Sequence, residues 1–207
     1  MADNYLEKRY EEVFGAGAKK TTARHPYPSL NTLLVKNRSY RRYRQDYVAD
    51  KGVLETIVSV NAKVASAMNR QALRFHIVND LESVDLLKKV LFREEIRPEA
   101  ATAYIIVYSF IPEDRYIDID LGISLQSMAL KATELGLGCL IKGNIDRDKL
   151  RVLFSEFSNM EPLAVLCIGK SSESVFLKPV DNNSELSPYS KEGVHYVPKL
   201  QPNDLII

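Results

Sequence analysis

Four arginines and two tyrosines crowd into nine residues, NRSYRRYRQ, at positions 37–45. A guanidinium presents several N–H donors in one plane, so Arg38 and Arg41, with the hydroxyl of Ser39 between them, have the chemistry to converge on a phosphate. The same run also suits a solvated basic face whose long stems cover apolar surface. Over the whole chain, 28 Lys and Arg stand against 27 Asp and Glu, for a net charge of +1. That balance supplies no global field to attract nucleic acid or an anionic membrane. If the cluster binds, it binds locally, which favours a small anion over a polymer, and a nucleic-acid interface ranks last.

Two further stretches carry polar groups at suggestive places. In AMNRQALRF, Asn69 and Gln71 fall between a helical and a strand-like pattern. An amide both donates and accepts, which matches a ring alternating carbonyl and N–H groups, such as a pyrimidine; amides in such loops also satisfy nearby backbone. In GLGCLIKGN, glycines bracket an apolar patch, so backbone N–H groups can approach a ligand closely, and Asn144 tolerates a left-handed conformation. The order is neither that of a dinucleotide fingerprint nor that of a P-loop. Cys139 and Cys167 sit in apolar settings and read as small buried hydrophobes. His25, His76 and His195 are far apart, so no metal site is expected.

Elements that could position these groups follow from periodicity. A helical arm is expected over residues 5–14, then a loose basic stretch. A short helix capped by Ser29 runs to Lys36, directly before the arginines. Residues 50–67 show helical spacing with Asp50 at the front; LRFHIVN alternates as a strand; residues 84–92 read as a helix. TAYIIVYSF is the strongest strand signal, bounded by Pro98 and Pro112. Residues 120–135 form a largely apolar, central helix ended by Gly136 or Gly138. A short helix over 147–154 and a buried strand near 163–168 follow. Interleaved helices and strands predict α/β or α+β, with helices covering a sheet. From Lys178 on, the chain is polar with little periodicity until VHYVPK. At 207 residues one domain is expected, with an arm (1–28) and an extended tail (178–207). No hydrophobic leader or membrane-spanning run is read, making cytoplasm the expected compartment.

Taken in order, NRSYRRY, SAMNRQALRF, DLGISLQSMALKATELGLGCLIKGNID and the late VPK resemble the FMN-dependent nitroreductase family, over roughly residues 33–199. The resemblance implies an α+β fold, with a central, mostly antiparallel sheet covered by helices, in a homodimer with two flavins at the interface, each contacted by both chains. It implies that Arg38, Ser39 and Arg41, with Tyr43 matching the family's aromatic position, surround the flavin phosphate, ribityl chain and ring edge. Asn69, with Gln71, is the implied partner of the pyrimidine, and Lys199 the late phosphate-binding cation. In the turn Ile141-Lys142-Gly143-Asn144, the Gly143 N–H is the implied donor to flavin N5. Asn37, Ala72, Leu73, Asn144 and Leu200 depart from the family pattern. Implied too is FMN-dependent oxidoreductase activity: NADH or NADPH reduces the flavin, which then reduces an electron-poor acceptor such as a nitroaromatic or quinone by a ping-pong scheme. No side chain then acts as a catalytic acid, base or nucleophile. Glu94, Glu95, Arg115 and Tyr116 fall where segments could face substrate. The departures keep open a flavin- or nucleotide-binding module without turnover.

Overall fold

The computed structural model describes residues 28–92 and 99–207; the expected arm at residues 5–14, His25, Glu94, Glu95 and Pro98 lie outside them. Elements are numbered here in chain order among the described residues. Ser29 caps α1 (Leu30–Lys36), its hydroxyl accepting from Thr32 N. Asp50 caps α2 (Lys51–Val58) by accepting from Val53 N. Then come β1 (Leu73–Val78), α3 (Leu81–Phe92) and β2 (Ala103–Ser109). The long α4 (Arg115–Glu134) leads to β3 (Gly138–Lys142), α5 (Arg147–Leu153) and β4 (Glu161–Gly169).

Four strands form an antiparallel sheet in the order β1-β2-β4-β3. Alternation along each strand divides two cores. Ala103, Ile105 and Val107 of β2, with Ala164, Leu166 and Ile168 of β4, pack on one face with α2 and α4 residues such as Leu54 and Met128. Tyr104, Ile106, Val165 and Cys167 pack on the other with Leu87 and Leu150 from α3 and α5. Both strands are almost wholly buried, as continuous apolar runs require when both faces are covered. Each such fully buried aliphatic side chain contributes about 1.5–3 kcal/mol. The antiparallel sheet covered by helices agrees with the fold expected from the resemblance.

Three boundaries differ from the sequence reading. The helix expected over residues 50–67 stops at Val58 and tightens into a 3-10 turn, Ser59–Ala62, although the apolar spacing continues to Val64 and Ala65. There Asn61 donates from Nδ2 to Val58 O and its Oδ1 accepts from Ser124 on α4, so the side chain replaces the next helical turn. Conversely, α4 begins at Arg115, not at Asp120, because Asp114 accepts from the amides of Tyr116 and Ile117. Asp120 is a buried mid-helix residue, 3% exposed. Finally, the polar tail carries a second sheet, with β5 (Ser174–Val180) parallel to β7 (Val194–Leu200) and β6 (Tyr189–Lys191) antiparallel to it. Gly136, at φ +73°, ends α4 as a left-handed cap. Gly138 instead opens β3.

Candidate functional site

The arginine run does not start a helix; it is irregular chain bridged to Cys139 at Ser39 and to Ser171 at Tyr43. It leaves α1 as extended chain laid along the sheet edge, with Tyr40 N donating to Cys139 O and Arg44 N to Lys170 O. Ser172 N donates back to Arg42 O. Glu173 fixes the segment further, its carboxylate accepting from the backbone amides of Arg41 and Arg42. Below the segment, a Cβ on Gly138 would lie 2.8 Å from the Tyr40 ring, so the absence of a side chain lets the segment seat on β3. The Tyr43 hydroxyl, in a residue 2% exposed, donates to Tyr40 O at 2.7 Å; burial pushes its pKa far up and keeps the proton in place.

This seating lets side chains from distant parts of the chain share one cavity of about 330 Å³. Arg38, Ser39, Arg41, Ile141 and Lys199 all line it. Arg38 donates to Leu34 O, yet its Nε is buried without a partner. Burial lowers the Arg38 pKa, partly opposed by Tyr40. A buried donor with no acceptor and cations with no carboxylate on the lining are what an anion would satisfy. Sequence reasoning missed two further lining residues, His195 and Gln126. Gln126 is a polar position inside the apolar pattern of α4, and His195 bonds Ser190 in the tail sheet, within the VHYVPK stretch.

The expected turn divides differently. Lys142, Gly143 and Asn144 line an adjoining cavity of about 260 Å³ that shares Arg41 and Ile141 with the first. Residues 138–142 are the sheet's edge strand, and the Lys142 ammonium rests 5.3 Å from the centre of the Phe92 ring. Gly143 is exposed, with nothing within 4 Å of a Cβ built on it. Asn144 does not take the left-handed backbone open to it; the left-handed non-glycine residues among those described are Met68, Asn69, Gln71 and Glu192.

Asn69 and Gln71 are thus not brought to the cation cavity. They stand on a separate loop, residues 66–71, whose Gln71 lines another cavity of about 230 Å³ beside Asp120 and Ser124. The Gln71 amide donates to Asn69 Oδ1 at 3.2 Å, and both residues are exposed. Three left-handed non-glycine residues in four cost about 1 kcal/mol each. The loop holds this conformation through its anchors. Gln71 N donates to Ser66 Oγ, Ala67 N to Asp120 Oδ1 at 2.8 Å, and the Arg70 guanidinium makes two bonds to Asp114. Arg115 and Tyr116, considered as substrate-facing, open α4 beside Arg70, whose guanidinium carbon is 5.7 Å from the Tyr116 ring centre.

Comparison with known proteins bears out the resemblance. Residues 34–111 match the model of the Nitroreductase family. Among solved structures, a nitroreductase family protein from Clostridium difficile 630 shares 29% identity over 68% of this chain and 83% of its own, with a TM-score of 0.58. An FMN-dependent nitroreductase from Clostridium difficile R20291 (22% identity, 69% and 87% coverage, TM-score 0.59) has the same fold. So does a Desulfovibrio desulfuricans protein crystallised in complex with FMN (21% identity, 70% and 88% coverage, TM-score 0.60). No curated protein matches the chain. The protein therefore has the nitroreductase-like α+β fold, and its segment from α1 through β2 carries the family's sequence pattern. No helix among the described residues is long and apolar enough to cross a membrane.

Proposed function

We propose that the protein is an FMN-dependent oxidoreductase, a single nitroreductase-like domain acting in the cytoplasm as a homodimer. The observation that carries this reading is the convergence of Arg38, Arg41 and Lys199, from opposite ends of the chain, on one cavity where Arg38 Nε has no protein acceptor. Arg38, Ser39, Arg41 and Lys199 hold the phosphate and ribityl chain, with charge-assisted hydrogen bonds supplying most of the affinity. Ile141, Lys142, Gly143 and Asn144 line the ring end, the exposed Gly143 offering its N–H and the Lys142 ammonium favouring negative charge. When bound, FMN supplies two-electron transfer from NADH or NADPH to an electron-poor acceptor such as a nitroaromatic or quinone, the two visiting in turn.

Within one chain the amides of Asn69 and Gln71 lie apart from the cation cavity, so in this reading they serve the flavin of a second copy. An apolar stripe supports such pairing: Tyr116, Ile119 and Ile123, spaced along one face of α4, are 53%, 47% and 37% exposed, and Met68 beside them is 79% exposed. A two-fold dimer buries the same stripe from both chains at once. The test is anaerobic addition of NADH and then NADPH to the FMN-loaded protein, followed by a nitroaromatic or quinone. Bleaching of the flavin absorbance by a nicotinamide and its return on adding acceptor are expected. Bound flavin that neither nicotinamide bleaches would instead mark a binding module without turnover.

A further inference from the structure

The 66–71 loop joins two features that rarely meet, an unfavourable backbone and a dense set of anchors on one neighbouring helix. Met68, Asn69 and Gln71 all have φ near +50°. None is glycine, and Met68 is exposed, so packing of its own side chain does not impose the conformation. Besides the Ser66 hydroxyl that takes Gln71 N, what holds the loop comes from α4 and its cap. Arg70 Nη1 donates to Asp114 Oδ2 at 2.9 Å and Nη2 to Asp114 Oδ1 at 3.2 Å, while Asp114 also caps the helix. Six residues further along, buried Asp120 accepts from Ala67 N, at the other end of the same loop. The two acidic residues therefore grip the loop at Ala67 and Arg70; Asn69 lies between these points and Gln71 just after them, and their side-chain amides are exposed and bonded to each other.

We propose that Arg70, Asp114 and Asp120 are positioning residues that lock residues 66–71 in their left-handed conformation before any cofactor arrives, so that Asn69 and Gln71 meet the flavin ring already set. This rests on the flavin reading above. It explains why strain is retained in an exposed loop: a loop free to relax would have to be reordered at each binding event, at the expense of affinity. Arg70 gives the clamp its charge, and the Asp114 carboxyl is held down to about 2 by that guanidinium and by the helix-end amide of Ile117. Asp120 gives it a fixed point inside the core. Its Oδ1 takes Ala67 N, while its second oxygen, Oδ2, is buried without a hydrogen-bond partner. None of the three touches the cofactor in this account; they act through Asn69 and Gln71.

The experiment compares wild type with Arg70→Gln, Asp114→Asn, the double variant and Asn69→Asp. Asparagine at 114 can still accept from the Tyr116 and Ile117 amides, so α4 keeps its cap while the ion pair is lost. Amide hydrogen exchange of the cofactor-free proteins reads the loop, and fluorescence titration with FMN reads affinity. Either single clamp variant should speed exchange across residues 66–71 about fivefold, leave β2 and β4 amides unchanged, and raise the FMN Kd about fivefold. The double variant should be no worse than either single one, because both remove the same interaction. Asn69→Asp, which tolerates the left-handed backbone and still accepts from the Gln71 amide but has lost its N–H donors, should raise Kd while loop exchange stays at the wild-type rate. Asp120→Ala should loosen the loop, and Asp120→Asn, which keeps an acceptor for Ala67 N, should restore it. Unchanged loop exchange in the clamp variants overturns the proposal whether or not FMN binds, and so does a loosened loop with unaltered Kd. A wild type that takes up no FMN refutes the flavin reading and the purpose given to the clamp, while the cofactor-free exchange still decides whether the clamp exists.

Discussion

The cation cavity and the 66–71 loop solve the same problem, holding polar groups still, in opposite ways. The arginine segment is chain stitched to β3 and to the residues beyond β4 by backbone hydrogen bonds and by Glu173; Arg42 and Arg44 pair outward with Glu99 and Asp46, while Arg38 Nε is left without a partner. The loop is strained backbone anchored to acidic groups through the Ala67 amide and the Arg70 side chain. In the first region the sheet supplies order and the Arg38 and Arg41 side chains are left lining the cavity. In the second, charge is consumed internally to display two neutral amides. A cofactor with a charged end and a neutral polar ring would draw on each where it is suited.

The contrast can be broken most severely at the charged end. Replacing Arg38 by Ala removes a buried, unpartnered donor and a charge from the cavity, and FMN affinity should fall about 100-fold by fluorescence titration, as loss of charge-assisted bonds predicts. Mixing the two regions' variants sharpens it next. If Arg38 and Asn69 of different chains share one site, Arg38→Ala and Asn69→Ala homodimers lack intact sites, but random mixed dimers regain about a quarter of them. Titrating FMN into the refolded mixture measures that fraction, and no recovery would place both residues on one chain's site.

A smaller effect separates seating from charge. Gly138→Ala puts a methyl against the Tyr40 ring, lifting the arginine segment without altering any cation, and should weaken FMN about 10-fold with little change in the 66–71 loop. Tyr43→Phe removes the bond to Tyr40 O beneath the same segment and should lower stability by about 1 kcal/mol in urea unfolding. Least disruptive is a titration of Asp114. Its folded pKa, about 2, lies below the ordinary 3.8, so its contribution is complete above about pH 5 and is lost as pH falls from about 4 toward 2. Carboxyl NMR should find it near 2 in the wild type and shifted upward in Arg70→Gln, where the bonds from the Tyr116 and Ile117 amides remain.

Much of the frame was legible because its signals are local. The caps Ser29 and Asp50, the run TAYIIVYSF and the PLAVLCIG strand each announce themselves within a few residues. The tail sheet was not, because β5 and β7 pair in parallel across the intervening chain and each contains a proline, Pro179 and Pro198, which argues against a strand when met in sequence. That miss hid His195 from the site. The end of α2 was set by Asn61 reaching Ser124 on α4, a contact between residues far apart in sequence. Arg38, Ser39, Arg41 and Lys199 were legible as a set through the family resemblance, and the structure gathers them. Nothing in AMNRQ announces left-handed backbone at Met68 or Gln71, nor the anchors Asp114 and Asp120, because these depend on where α4 lies.

The most direct measurement of the central claim is FMN binding by the purified protein, by absorbance and fluorescence quenching, for wild type beside Arg38→Ala, Arg41→Ala and Lys199→Ala. The account predicts stoichiometric flavin bands with the wild type, one FMN per chain, and weaker binding in every variant, most of all in Arg38→Ala. A colourless wild type after reconstitution, or variants that bind FMN as tightly as it does, would contradict it.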